Sequence, residues 1–318
     1  LKVLFHVNSI NHRGTTVALT DYARHNQTIL GNESIICYNA SLPNEKEMGN
    51  VPEIIDSLKR EFNVVSYTDV NHINGLTENT DAAYFIRAGH KEFLPTNTKT
   101  LVHAVFQTYQ YHGDVYAHIS EWLAKKVTPV NEIPKWVPHM IDLPSANKDI
   151  RDKLGIPKQA TVFGRYGGFD TFDLPFVYQP ILDIVEKYTD VYFVFANTRP
   201  FANHPRIKYI KEINTKQGKS NFINACNFMI HARQRGESFG LSIAEFLYHN
   251  KPVLSWEGGL DQNHVEMLKD STLMYNESNI KDKLLFAIEE GKNLNSSWRV
   301  EQYSPQKVMK KFEEVFLC

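Results

Sequence analysis

Hydrophobic and polar positions alternate in blocks along the chain, and the blocks predict short buried strands separated by amphipathic helices. Apolar runs of strand length occur in the first half at 2–7, 34–39, 63–67, 82–87, 100–106 and 115–120. Helical spacing separates some of them, as at 17–23 and 51–62. Such an alternation predicts an α/β domain in which a parallel sheet is flanked by helices.

The second half repeats this order. We predict strands within 160–170 and at 191–196, 207–210, 228–231 and 253–256, with helices at 176–188, 220–225, 284–288 and 304–317. The prolines of WVPHMIDLP, at 136–144, prevent a helix from running through and mark a linker. We therefore predict a first domain at 1–142, a second at 143–303 and a final helical segment at 304–318.

Residues 235–245, RGESFGLSIAE, predict a loop that runs into a helix beginning near Phe239. Gly236 permits a tight turn, and Ser238 can cap the helix. The first backbone amides of a helix have no partner within it and attract phosphate. In this stretch they are the amides of Phe239, Gly240 and Leu241.

Two carboxylates bracket the same stretch. Glu237 lies just before the predicted helix, and Glu245 lies about two turns into it. Carboxylate oxygens accept hydrogen bonds from the hydroxyl groups of a ligand. The stretch therefore predicts a site for a ligand that carries both phosphate and hydroxyl groups.

The run GESFGLSIAE, with KPV a few residues later, resembles the signature of retaining glycosyltransferase family 4, in which seven residues separate two glutamates. The resemblance implies the GT-B fold, an α/β architecture of two Rossmann-like domains whose parallel sheets face each other across a cleft. It also implies that segment 304–318 crosses back to the first domain. Glu237 would bind the donor sugar, Glu245 the ribose, and the intervening backbone amides with Ser238 the diphosphate.

The same resemblance assigns cations to the donor phosphates. Family members carry a glycine-arginine pair early in the second domain, which Arg165 matches, and a lysine several residues later, which this sequence lacks. A leaving diphosphate gains most from fixed positive charge in a closed site. Arg13, Arg233 and Arg235 are the candidate substitutes for the lysine, and we favour Arg233.

Two first-domain features complete the predicted site. Gly14, after the first strand, resembles the family's glycine turn that faces the donor phosphates. A histidine of this domain often contacts the donor sugar in the family. We assign that role to His103 ahead of His112, because side chains near strand carboxyl ends gather around ligands in open α/β sheets.

Composition narrows the choice of function. The 318 residues are 42% hydrophobic and 22% charged, with a formal net charge of −1 and no basic stripe, which argues against a nucleic-acid partner. No apolar run reaches the ~20 residues of a membrane span. Cys37, Cys226 and Cys318 are scattered and predict free thiols in a cytoplasmic protein. Histidine spacing predicts no metal site.

The resemblance predicts a metal-independent, retaining transferase without a cofactor. It would move a hexose from a nucleotide-diphosphate sugar to a hydroxyl of a glycan or glycoconjugate, with GDP-mannose ranked ahead of UDP-glucose as donor. A peripheral membrane contact and a homodimer are both compatible with the sequence. The alternatives are a nucleotide-sugar epimerase of the same architecture, a glycoside hydrolase with two carboxylates, and a non-catalytic nucleotide-sugar-binding protein.

Overall fold

The structure, a computed structural model, describes residues 1–43 and 49–318. It divides into two compact units. Unit 1 comprises Leu1–Met140 together with Tyr303–Cys318, and unit 2 comprises Ile141–Gln302. No helix among the described residues is both long enough and apolar enough to cross a bilayer.

The strands are β1 (Lys2–Val7), β2 (Glu33–Asn39), β3 (Asn63–Tyr67), β4 (Ala82–Arg87), β5 (Lys99–Ala104), β6 (Val115–His118), β7 (Thr161–Tyr166), β8 (Val191–Ala196), β9 (Ile207–Ile210), β10 (Phe228–His231), β11 (Gly236–Glu237), β12 (Val253–Trp256), β13 (Asp261–Gln262) and β14 (Met274–Tyr275). The helices are α1 (Gly14–Thr28), α2 (Pro52–Lys59), α3 (Ile73–Thr77), α4 (Glu121–Val127), α5 (Tyr178–Lys187), α6 (Lys216–Ala225), α7 (Leu241–Tyr248), α8 (Asn263–Met267), α9 (Ile280–Glu289) and α10 (Pro305–Phe312).

Each unit is built on a parallel six-stranded sheet. The order is β3-β2-β1-β4-β5-β6 in unit 1 and β14-β12-β10-β7-β8-β9 in unit 2, and the short strands β11 and β13 pair separately. The order reverses between β1 and β4 in unit 1 and between β7 and β10 in unit 2. In open α/β sheets such switch points, at the strand carboxyl ends, are where ligands bind.

The end of the chain completes the core of unit 1. α10 is followed by a π-helical turn, Glu313–Leu317. Phe312 and Phe316 are fully buried. The Phe312 ring stacks on Tyr22 of α1 at 5.3 Å between centroids and lies 5.5 Å from the Tyr84 ring of β4. Removing this segment would leave an apolar groove over the sheet.

The core of unit 2 is rich in phenylalanine. Phe163 of β7 stacks between Phe193 of β8 and Phe228 of β10, with centroids 4.9 and 5.1 Å away. One face of α5 supplies Ile181 and Ile184 to the same core. The spacing of these two side chains is the helical period of an amphipathic surface.

The predicted strands are confirmed in position, and several have the predicted bounds. Helix ends differ more. The structure begins α6 at Lys216, where the prediction placed its start at 220, because the side chain of Thr215 caps the helix by accepting a hydrogen bond from the amide of Gly218. α1 extends on both sides of the predicted 17–23 and contains Asn26, a polar residue that is fully buried.

Candidate functional site

The candidate site lies in unit 2, where β7 and β10 run side by side to their carboxyl ends at Tyr166 and His231. The chain leaves β10 and forms β11, which pairs with β13, before it enters α7. The predicted motif therefore starts at the switch point of the sheet. This is where the topology alone would place a ligand.

Glu237, in β11, has a separate partner for each carboxylate oxygen. Nε2 of His231 lies 3.3 Å from Oε1, and NH1 of Arg233 donates to Oε2 at 2.8 Å. Burial opposes ionisation of this carboxyl, but the hydrogen bond from His231 and the charge of Arg233 outweigh it, so the pKa of Glu237 is lowered. Its side chain is 19% exposed. Glu237 is thus an ionised acceptor that a ligand can reach.

Two histidines position this carboxylate. Nδ1 of His231 lies 3.0 Å from the hydroxyl of Ser255. The amide of Glu237 donates to Nδ1 of His264 at 3.3 Å, and Nε2 of His264 lies 3.0 Å from the carbonyl of Trp256. This pattern fits a neutral ring protonated on Nε2. Burial and the nearby His231 lower the pKa of His264 to about 3, which keeps the ring neutral.

Glycines allow the backbone around Glu237 to pack closely. Gly236 has φ +76°, and a Cβ there would lie 2.0 Å from the carbonyl oxygen of Asp261. Gly259 has φ +114°, and its Cβ would lie 2.8 Å from the amide nitrogen of Gly236. Only glycine fits such positions without displacing the backbone. The direction of the Glu237 side chain therefore depends on the two glycines, Gly236 and Gly259.

The predicted start of the motif helix is wrong by two residues. α7 begins at Leu241, and its N-cap is Gly240, with φ +93° and ψ +51°. A left-handed residue cannot belong to a right-handed helix, so Phe239 and Gly240 lie outside it. Ser238 is therefore not the N-cap. The side chain of Phe239 is buried, and its carbonyl accepts a hydrogen bond from Nδ2 of Asn263 at 2.7 Å.

Glu245 lies on α7 and is only 4% exposed. Nζ of Lys219, on α6, donates to its two oxygens at 3.0 and 3.3 Å, and the hydroxyl of Tyr166 donates to Oε2. The carboxylate ties α7 to α6 and to the end of β7. It is not solvated. Its assignment to a ribose remains a prediction.

The hydrogen bonds of Arg165 lie within the protein, and its assignment to the diphosphate remains a prediction. It is 4% exposed, and its two terminal nitrogens donate to oxygens of the loops that follow β7 and β8. NH2 donates to the carbonyl of Gly168 at 3.0 Å and to the hydroxyl of Thr171 at 2.6 Å, while NH1 donates to the carbonyl of Asn197 at 3.2 Å and to the hydroxyl of Thr198. Burial lowers the pKa of Arg165 to about 10. The guanidinium braces two loops.

The two other candidate cations of unit 2 have carboxylate partners. Arg233 pairs with Glu237, as described, and its side chain is 27% exposed. Nε of Arg235 lies 2.7 Å from Oδ2 of Asp261, so this arginine holds β13 in place. Of the two, Arg233 is therefore the arginine attached to the site.

The candidates of unit 1 lie at the start of α1 and in β5. Arg13 is the N-cap of α1, and Gly14 is its first residue. An added Cβ at Gly14 would meet nothing within 4 Å, so no contact within the described residues requires glycine there. His103 is fully buried, with its ring nitrogens 2.6 Å from the hydroxyl of Tyr84 and 2.8 Å from the carbonyl of Val137. His103 therefore lies in the core of unit 1 with both ring nitrogens engaged, and its assignment to the donor sugar remains a prediction.

Sequence reasoning missed His231, His264 and Lys219 as members of the constellation. His231 could have been found, since it is the last residue of a predicted strand and precedes the motif directly. Lys219 lay outside the predicted helix 220–225, although Thr215 is a common capping residue. His264 gave no signal, because its contact with Glu237 depends on the pairing of two-residue strands.

Solved structures of low sequence identity share this fold. HepE from Anabaena, in complex with UDP and glucose, has a TM-score of 0.73 at 12% identity, over 99% of this chain and 98% of HepE. A glycosyltransferase from Rickettsia africae has a TM-score of 0.70 at 13% identity, over 99% and 97% of the two chains. A UDP-N-acetylglucosamine 2-epimerase has a TM-score of 0.59 at 12% identity, over 100% and 96%.

No protein-family model matches the sequence, and no curated protein matches it. At sequence identities of 12–13%, these structural similarities show the fold alone. The similarity to HepE along nearly the whole chain, together with the two parallel sheets, confirms the predicted α/β fold class of the GT-B type.

Proposed function

We propose that this protein is a retaining glycosyltransferase of family 4 that moves a hexose from a nucleotide-diphosphate sugar to a hydroxyl acceptor. One observation carries the proposal. Glu237 is an ionised carboxylate with fixed partners at the switch point of the unit 2 sheet, in the segment that leads into α7. A sugar diphosphate needs a hydrogen-bond acceptor for its sugar hydroxyls and a helix N-terminus for its phosphates, and this segment places the two close together in sequence.

The state of Glu237 favours positioning over acid or nucleophilic catalysis. A general acid at neutral pH needs a raised pKa, whereas the pKa of Glu237 is lowered. A carboxylate that accepts from Arg233 is also a weakened nucleophile. We assign Glu237 to the sugar hydroxyls, and the rate enhancement to orientation and charge stabilisation. The acceptor would then attack from the leaving-group face, with retention of the anomeric configuration.

We assign the diphosphate to Arg233 and to the backbone of four consecutive residues, Ser238, Phe239, Gly240 and Leu241. The side chain of Arg233 is partly exposed and shares its charge with a single carboxylate. The ribose goes to Glu245, whose Oε1 accepts only from Lys219 among the bonds described above. Lys219 holds this carboxylate in place, and Arg233 is our replacement for the missing family lysine.

We place UDP-glucose ahead of GDP-mannose as the donor. HepE, which has a similar fold, was solved in complex with UDP-glucose, and a further HepE complex contains UDP and glucose. The acceptor is a glycan or another hydroxyl-bearing compound, and we propose that transfer requires no metal.

Calorimetric titration tests the assignment. Wild-type protein is titrated with UDP, GDP, UDP-glucose and GDP-mannose, each with and without Mg²⁺. Glu237→Gln keeps the shape of the side chain but removes its charge. We expect this variant to retain affinity for the free nucleotide and to lose turnover by ~10²-fold, as for a lost transition-state contact.

Glu212→Gln, at an exposed glutamate of the same unit, is the matched control and should behave as wild type. Equal turnover of Glu237→Gln and wild type would remove Glu237 from the site. If none of the four nucleotides and nucleotide sugars bound, the proposal as a whole would be contradicted.

The similarity to a UDP-N-acetylglucosamine 2-epimerase keeps one alternative open. An epimerase converts its sugar nucleotide without an acceptor. Incubation of the protein with the donor alone, followed by chromatography of the sugar nucleotides, separates the two activities. An isomeric sugar nucleotide would identify an epimerase, and an unchanged donor would exclude one.

A further inference from the structure

Unit 1 contains a cavity of about 690 Å³ at the carboxyl ends of four neighbouring strands. Asn8 follows β1, and the last residues of β2, β3 and β4, namely Asn39, Tyr67 and Arg87, also line it. The cavity lies at the switch point between β1 and β4, where open α/β sheets bind ligands. Its volume is in the range of small-molecule sites.

Arg87, which lines this cavity, is a buried arginine with hydrogen-bond donors left unpartnered by the part of the chain that the structure describes. Its side chain is 3% exposed, and its guanidinium lies over the Phe85 ring at 4.7 Å. NH1 lies 3.0 Å from Oε2 of Glu92, but neither this nitrogen nor Nε has a hydrogen-bond partner among the described residues. Buried donors without partners are rare and destabilising. The guanidinium therefore has unused capacity beside a space large enough for a ligand.

Among the groups around Arg87, Glu92 is the charged partner and the others are neutral. Nε2 of His6 is 2.9 Å from the hydroxyl of Tyr67. Burial and the nearby Arg87 lower the pKa of His6 well below its usual range, and burial raises the pKa of Tyr67 to about 12, so both are neutral at pH 7. Glu92, 34% exposed, is the remaining charge paired with Arg87 in the described part of the chain.

The other walls suit a sugar ring. Val70 and Phe93 line the cavity with 38% and 37% of their surface exposed, which is high for large apolar side chains. An aromatic or aliphatic side chain can cover the C–H face of a sugar. The amides of Asn8 and Asn39 and the carboxylate of Asp69 also line the cavity and can take hydroxyl groups.

We propose that this cavity binds a sugar that carries an anionic group, either a carboxylate or a phosphate. The anionic group would bind to the guanidinium of Arg87. A planar guanidinium binds either anion through two parallel hydrogen bonds. Asp69 and Glu92 repel a bare anion, so recognition requires both the anion and the hydroxyl-bearing ring. That the bound sugar is the acceptor of the transfer rests on the proposed function; that the site exists does not.

The test is calorimetric titration of the whole protein with glucuronate, glucose 6-phosphate, glucose and inorganic phosphate. We expect one of the acidic sugars to bind at least tenfold more tightly than glucose and than phosphate, and the better of the two identifies the anionic group. Arg87→Gln should lose at least tenfold in affinity for it. Arg60→Gln, at an exposed arginine of the same unit, should not.

A second variant separates recognition from folding. Glu92→Gln removes the carboxylate that competes for Arg87, so the affinity for the acidic sugar should rise severalfold while that for glucose stays the same. Unfolding cannot produce such a gain. Equal affinity for glucose and both acidic sugars, or binding of phosphate alone, would overturn the proposal, as would no binding of any of the four.

UDP titrated into the same Arg87 and Glu92 variants should bind as it does to wild type. If a variant loses acidic-sugar binding but still binds UDP, the substitution has affected the cavity of unit 1 and not the nucleotide site. Conversely, acidic-sugar binding in a protein that binds no nucleotide would leave this site standing while removing the proposed transferase function.

Discussion

Glu245 and Lys219 neutralise each other where little water reaches either group. Their side chains are 5% and 17% exposed. In such an environment a charge pair adds little over an apolar pair, but loss of one partner leaves the other charge desolvated. The Nζ of Lys219 also lies 5.4 Å from the centroid of the Tyr166 ring, whose face attracts a cation.

Lys219→Met should destabilise the protein by ~3–5 kcal/mol, because Glu245 would stay buried without a cation. The double variant Lys219→Met/Glu245→Leu should recover most of this loss. Urea unfolding of Lys219→Met, Glu245→Leu and the double variant, at pH 7, measures the coupling between the two side chains.

Lys125 and Glu121 form the matched control, a pair 2.7 Å apart on α4 whose side chains are 62% and 51% exposed. Lys125→Met should cost only ~0.3–0.5 kcal/mol. A loss of that size for Lys219→Met would show that the buried pair is hydrated in solution.

Residue types alone could identify candidates for this site, but not their partners. Glu237 was predicted from the motif and Arg233 as a substitute for the missing lysine, and the structure pairs the two side chains. Arg165 matched a family position equally well, yet its guanidinium is used by Gly168 and Thr171. Whether a buried cation faces a ligand or a loop depends on the path of the neighbouring loops, which leaves no pattern in the sequence.

The elements of the fold were more predictable than their ends. Strands buried on both faces are continuous apolar runs, so β4 and β8 have their predicted bounds. Helix ends are set by single polar contacts. Asn26 extends α1 beyond its apolar stretch by donating to the hydroxyl of Ser34 at 2.9 Å, an interaction between different elements.

The short strand β11 depends on glycine more than on any side chain. Gly236→Ala would place Cβ 2.0 Å from a backbone oxygen at a positive φ. We expect a loss of at least ~2 kcal/mol in stability, since backbone strain of this kind costs ~1–3 kcal/mol before the clash is counted. Glu237, the next residue, should move with the backbone, so donor turnover should fall as well.

Gly14→Ala is the control for this substitution. Gly14 is a helical residue with open space around the Cβ position. Alanine there should leave stability unchanged or raise it by up to ~1 kcal/mol. Thermal unfolding of both variants measures the difference, and similar melting temperatures for the two would contradict the close packing of β11.

Neutral histidines buried in both units make the whole molecule sensitive to acid. Burial lowers the pKa of His118 and of His139 to about 4, and burial with a contribution from His231 lowers that of His264 to about 3. His6 and His103 are shifted in the same direction by burial. In the unfolded chain these groups take up a proton near pH 6.5.

Stability should therefore fall as the pH drops from 6.5 towards 4. In this window the unfolded state binds more protons than the folded state, so the free energy of unfolding rises with pH. Each such histidine adds up to ~1.4 kcal/mol per pH unit. Urea unfolding followed by circular dichroism at pH 7, 6 and 5 measures the slope.

His72→Asn, at an exposed histidine, should leave this slope unchanged. His118→Asn should reduce it. Equal stability at pH 7 and pH 5 would show that the buried histidines are protonated, or accessible to water, in the folded protein.

The return of Tyr303–Cys318 to unit 1 also sets an order of events during synthesis. Unit 2 is contiguous and can close its core once Gln302 has left the ribosome. The strands of unit 1 are made before unit 2, but Phe312 and Phe316 can join their core only after all of unit 2 has been made. At 5–20 residues per second, translation of the 141–302 segment takes on the order of 10–30 s. For that time a nascent chain exposes the apolar groove that these two rings later fill, and a chaperone or a neighbouring nascent chain would find it open.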